Sequence, residues 1–341
     1  MMMGALRDGF RSLGRSWGLV LVVLAVNLSL ALVLAVPLAL QLEDDLTHTG
    51  ASSSMMYGFD YEWWSAWSED QEGLSRTFDP SVFGVGFAAR NVDLLVRGFI
   101  PAGLFPEGGR REGDGDRRFA RPGVDPLILG MGVLYLLVQV FLTGGILGVF
   151  RAPQGGWTVR GLVHGSGFYF ARLVRVSLLA LALAAFVFAL NVPFARWVDG
   201  LGREAVSERT ALVLGLGRYA ALLLALLLLH MAASFARVIV VLEERRSAAL
   251  ALLSSAGFCV RNFLAAAGQY AVLVAAAVLL LAVWSAFDTR FPVTGWRSQL
   301  VALAVFQAFI VARICLRLGL LASQVELYRA RRAGKGAPDR V

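Results

Sequence analysis

WGLVLVVLAVNLSLALVLAVPLALQ, residues 17–41, runs for 25 residues without a charged side chain. A hydrocarbon core about 30 Å thick takes roughly 20 such residues as helix, whereas a soluble domain seldom buries a helix that is apolar on every side. The conformation must be helical, because lipid offers no partner to an open backbone N–H or C=O. Five more stretches are long and predominantly apolar, at 127–150, 173–197, 219–241, 263–287 and 299–321, with arginine only in their end portions. Composition agrees: the 341 residues are 57% hydrophobic and 16% charged, with mean hydropathy +0.66, against about 25% charged in a soluble domain. The class that follows is an all-α, polytopic membrane helix bundle. It has six transmembrane helices, short interfacial helices and one long external loop, in a single membrane domain over 1–341. The first span is longer than a signal-peptide core. Ala39-Leu40-Gln41 is no small-x-small cleavage site, so the segment reads as an anchor.

Basic residues orient such a chain, since they concentrate on the cytoplasmic side. Segments 1–16, 151–175, 237–261 and 313–341 carry 18 basic and 5 acidic residues; 42–126, 196–210 and 288–297 carry 13 and 19. Both termini are therefore expected in the cytoplasm of a bacterial inner membrane, with 42–126 outside and 323–341 as a basic tail, disordered at its end. The net charge of +8 is then a topology signal and calls for no nucleic acid. Trp17 and Trp157 fall at the inner interface, and Trp197, Trp284 and Trp296 at the outer one.

GSGFYFARLVR (165–175) and SAGFCVRNFLA (255–265) share a Gly-Phe step followed by arginine, as does the N-terminal Gly9-Phe10-Arg11. The pattern predicts a parallel repeat in which a short inner-face helix precedes each odd-numbered span.

Inside the spans the polar side chains are Asn27, Gln139, His230, Gln269 and Gln307, with no Asp, Glu or Lys at mid-depth. Amides there commonly bridge helices; the sharper reading, a proton relay through His230, lacks a neighbouring carboxylate. Gly144 and Gly148 have GxxxG spacing, which lets two helices approach closely. Arg172, Arg175, Arg237, Arg261, Arg313 and Arg317 gather at inner span ends. They read either as snorkelling cations and ion pairs, or as a pocket for anionic lipid headgroups. Catalytic motifs are absent and His48, His164 and His230 fall at different depths, so neither metal nor cofactor is expected. Cys259 and Cys315 form no CxxC pair.

The external loop holds DYEWWSAWSED (60–70), with three tryptophans among four carboxylates. Its helical wheel puts Phe59, Trp63 and Trp67 on one face and acids on the other, with Trp64 at the edge; 59–63 alternates equally well as a strand. Phe59, Tyr61, Trp63, Trp64 and Trp67 thus form an interfacial belt or a hot spot for an external protein partner. Residues 81–105 read as interfacial or re-entrant, and 106–123 as disordered.

FDYEWWSAW (59–67), TFDPSVFG (77–84) and FLTGGILGVFR (141–151), in this order around these spans, resemble a bacterial family of six-span membrane proteins. VIVVLEERRSAALAL (238–252) resembles the inner loop of the membrane domain fused to some glycerophosphodiester phosphodiesterases. These resemblances imply topology and carry over no catalytic residue. The functional expectation is a non-enzymatic accessory or scaffold protein; the alternative is a passive or lipid-directed transporter with a site between the repeats.

Overall fold

The computed structural model describes residues 2–49, 60–71, 75, 126–152, 157–204, 207–288, 290 and 296–333. Residues 81–105, 106–123, Phe59 and the last eight positions lie outside them. The described residues form helices α1 (Met2–Arg15), α2 (Gly18–Thr49), α3 (Tyr61–Asp70), α4 (Pro126–Arg151), α5 (Val159–Glu204), α6 (Glu208–Leu242), α7 (Ala248–Arg261), α8 (Phe263–Asp288) and α9 (Trp296–Ala333). Six are long and apolar enough to cross a membrane: Gly18–Thr47, Leu127–Arg151, Val159–Arg203, Leu212–Leu242, Phe263–Phe287 and Trp296–Ala333. The chain is an all-α, multi-pass integral membrane protein. Its outward leucines say the same: Leu32 is 48% exposed, Leu223 69% and Leu279 66%. Each such side chain loses about 1.5–3 kcal/mol in water relative to an apolar surrounding, and hydrocarbon removes that penalty.

Backbone contacts group the chain into two compact units. One comprises Met1–Leu21, Leu137–Ala277 and Arg313–Val341; the other comprises Val22–Leu136 and Val278–Ala312.

In the first unit α5 packs on α6, and α7 packs on both. Amphipathic α1 buries Ala5, Leu6, Gly9 and Leu13. Gly9 crosses α9 where a Cβ would come within 2.6 Å of the Ser323 nitrogen, so only glycine fits. A core of Met231, Phe235, Ala266, Tyr270 and Leu327 gathers α6, α8 and α9, with Ala5 and Cys259 joining from α1 and α7. Gly144 and Gly148 both face α5. The tightest approach, however, is at Gly145, where an added Cβ would overlap the Leu162 carbonyl oxygen and the Ser166 hydroxyl.

In the second unit Trp284 is buried among Phe287, Phe306 and Phe309, at 5.4–6.0 Å between ring centroids. It therefore joins α8 to α9. Trp197, in the first unit, and Trp296 are 61% and 66% exposed.

Two sequence boundaries move. The tail predicted from 323 begins as buried helix: Ser323, Gln324, Val325 and Leu327 are each at most 1% exposed. Hydropathy falls there because of Arg329, Arg331 and Arg332, yet backbone hydrogen bonding continues to Ala333. The short helices before the odd spans are separate in two cases only. α1 ends in tight turns at Ser16 and Trp17, and α7 ends at Asn262, whose backbone and side-chain N–H groups both reach the Phe258 carbonyl. α5 instead runs unbroken for 46 residues, about 69 Å. The glycines of the repeat are likewise unequal, since Gly167 and Gly257 have open space where Gly9 has none.

Candidate functional site

The polar side chains of α6, α8 and α9 meet inside the first unit. Gln324, fully buried, accepts from the Ser234 hydroxyl at 2.8 Å and donates to the Tyr270 hydroxyl at 3.1 Å. Gln269, also fully buried, donates to the Ser323 carbonyl at 3.0 Å. Gln139 accepts from Arg317 Nη1 at 2.8 Å, tying α4 to α9. The ring of His230 stands edge-on to Tyr270 at 5.8 Å, and Arg237 and Arg317 both lie within electrostatic reach of it. Gln139 and Gln269 thus take the helix-bridging role expected of buried amides. Ser234, Tyr270 and Gln324 escape a sequence reading, because a span that closes at 321 leaves Gln324 in solvent.

A second cluster forms where α6 gives way to α7. Glu243 binds Arg245 at 2.5 Å and Arg332 at 2.6 Å, and also accepts from the Tyr328 hydroxyl. Burial alone pushes the Glu243 carboxyl up, but Tyr328, Arg245 and Arg332 outweigh it and hold it below the ordinary value. Glu244 pairs with Arg151, which lowers its carboxyl also. Its φ of 54° is a left-handed conformation that glycine or asparagine usually takes after a helix. Arg172 bonds its carbonyl at 3.2 Å and lies 4.9 Å over the Phe168 ring. Arg329 then caps α4, donating to the carbonyls of Phe150 at 3.0 Å and Arg151 at 2.7 Å.

The arginines singled out in the sequence therefore fall into separate neighbourhoods. Arg172 serves the α6–α7 link, Arg237 and Arg317 flank His230, and Arg175 and Arg313 are exposed. Arg261 lines a cavity of about 400 Å³ between α7 and the end of α9, and none of the other five lines it with Arg261. Its companions there are Arg331 and Arg332, with Tyr328, Asn262 and Ser254. Neither Arg331 nor Arg332 stood out in the sequence, because both fall in the stretch taken for a tail.

In the second unit the tryptophan stretch is helix, not strand. Asp60 caps it by accepting from the Trp63 N–H at 2.9 Å. Trp63 and Trp67 stack at 5.5 Å, and Trp67, 8% exposed, donates its indole N–H to Asp45 of α2 at 2.7 Å. Gln41 meets Gln71 at 3.4 Å and accepts from Ser75. The exposed side of α3 is therefore Tyr61, with Glu62 and Glu69 beside it along an open groove. Trp63 and Trp64 are half-buried.

Comparison with protein-family models, with curated proteins and with solved structures finds no match to this chain.

Proposed function

We propose that this multi-pass protein is a non-enzymatic accessory or scaffold component of the bacterial inner membrane, with both termini cytoplasmic and 42–126 outside. The observation that carries the reading is the pairing of its polar side chains. Ser234, Tyr270 and Gln324 bond to one another, and Gln269 and Gln139 bond to α9, so these groups hold helices together. A transporter would instead turn such groups toward a substrate near mid-membrane.

The surface offered to a partner is the outer side of α3, carrying Tyr61, Glu62 and Glu69. An N-cap and the Trp67–Asp45 bond anchor that helix, so a partner meets a preorganised surface. Crosslinking from native membranes tests this with Y61A/E62A/E69A, which leaves the anchoring tryptophans in place. Loss of one crosslinked species relative to wild type is expected. An identical crosslinked set from both proteins refutes the partner role.

A further inference from the structure

The cavity between α7 and the end of α9 is rich in positive charge. Arg261, Arg331 and Arg332 all line it. The carboxylate next to it, Glu243, is already held by Arg245, Arg332 and Tyr328. Arg261 and Arg331 have no ion-pair partner among the described residues, and the Nε of Arg331 is buried without a hydrogen-bond partner. A guanidinium nitrogen shielded from water and left without an acceptor is unfavourable. Its fork of N–H groups matches the oxygens of a phosphate better than those of most other ligands. The Ser254 hydroxyl accepts from Arg245 at 2.7 Å, which leaves its own proton available to donate.

Position narrows the ligand further. Asn262 is the residue before the apolar helix α8, and Tyr328, Arg331 and Arg332 lie past residue 321, where the apolar stretch of α9 ends. The cavity therefore sits at the margin of the hydrocarbon, at headgroup level. Leu253 lines it at 71% exposed, and Leu264, 85% exposed, begins the apolar surface of α8 just beyond. Gly257 has nothing within 4 Å of where a Cβ would stand, so that wall is open. A volume of about 400 Å³ falls within the usual range of small-ligand sites.

The geometry points to a phosphate-binding site at Arg261, Arg331 and Arg332 that takes the headgroup of an anionic phospholipid, its acyl chains lying along α7 and α8. This site is distinct from the α3 surface and stands whether or not that surface binds a partner.

Native mass spectrometry tests it on protein released from vesicles of phosphatidylglycerol and phosphatidylcholine in equal parts. Wild type is expected to retain phosphatidylglycerol preferentially. An arginine near the headgroups contributes about a fivefold preference, so R261A/R331A should lower retention roughly 30-fold. R175A/R313A removes two exposed arginines elsewhere and should leave it unchanged. R261K/R331K keeps the charge and loses the fork, and should recover part of the preference.

A second arm titrates inorganic phosphate and glycerol 3-phosphate into detergent-purified protein. Arginine-dependent binding of either, with displacement of the lipid, would keep the phosphate site and assign it to a soluble phosphate compound. Equal phosphatidylglycerol retention by wild type and R261A/R331A, with no phosphate binding, overturns the site. So does an equal loss in R175A/R313A.

Discussion

Substituting the glycines of FLTGGILG one at a time separates a spacing rule from a packed interface. Gly144 and Gly148 stand four apart, and GxxxG spacing alone marks them as the contact pair. The structure ranks them otherwise. At Gly148 the nearest atom to an added Cβ is Gly165 Cα at 3.8 Å, which is ordinary contact. At Gly144, Leu173 Cδ1 and Tyr169 Cβ stand at 3.3 Å and need to give only slightly. At Gly145 the Leu162 Cδ1 is at 2.8 Å, and the Leu162 carbonyl oxygen, which cannot rotate away, is closer still. A methyl there forces α4 and α5 apart by more than about half an ångström, a gap that forfeits a quarter to a half of each dispersion contact it opens. Overpacking of this kind costs about 1–3 kcal/mol, while alanine returns up to about 1 kcal/mol of helix propensity wherever it has room. G145A should therefore lower the thermal midpoint of the detergent-purified protein by several degrees. G144A should be near neutral, and G148A neutral or slightly stabilising. Fluorescence-detected size-exclusion chromatography after a heat challenge measures the order directly. A G145A protein as stable as G148A would refute the packing argument.

Gln324→Leu removes the amide that joins the buried Ser234 and Tyr270 hydroxyls and should cost about 1–2 kcal/mol; S234A/Y270F/Q324L should regain part of that midpoint loss, and no recovery would argue against a shared network. Trp67→Phe keeps an aromatic ring, though a smaller one, and removes the indole N–H bond to Asp45, for a loss of at least about 1 kcal/mol, read as faster proteolysis around α3 with the global midpoint little changed. The Glu243 carboxyl is held below its ordinary value of 4.5, so its ion pairs stabilise the fold above that pH and fade as pH falls through the lowered value. The midpoint should be flat from about pH 7 to 5 and drop below about pH 4, and E243Q should be less stable at pH 7 with a shallower acid limb. In a background lacking Cys259 and Cys315, Ser65→Cys should react with a membrane-impermeant thiol reagent in spheroplasts and Arg246→Cys only in inverted vesicles; the opposite pattern reverses the topology.

Much of the fold is legible because a membrane makes one demand of sequence. About 20 apolar residues in a row must be helix, and the six stretches found that way match the six apolar helices. The site is less legible because its residues lie in stretches where apolarity stops. Arg331, Arg332 and Tyr328 look like tail, and only the continuation of α9 to Ala333 carries them to the wall of a cavity. DYEWWSAWSED shows the limit in another way. Its composition announces a surface of some kind, but periodicity over so few residues left helix and strand open. Asp60 at the cap and Asp45 across from Trp67 are what make it a helix turned inward.

Composition and apolar run length by themselves determined that this chain lives in a bilayer and crosses it as helices, since an unbroken apolar run of about 20 residues closes its own backbone hydrogen bonds there only as a helix. Which side chains meet was decided by tertiary structure alone. Gly145 rather than Gly148, Gln324 with Ser234 and Tyr270, and Arg261 with Arg331 rather than with Arg237 are outcomes of helix rotation and crossing. Such choices rest on contacts between residues far apart in the chain, and no local pattern encodes them.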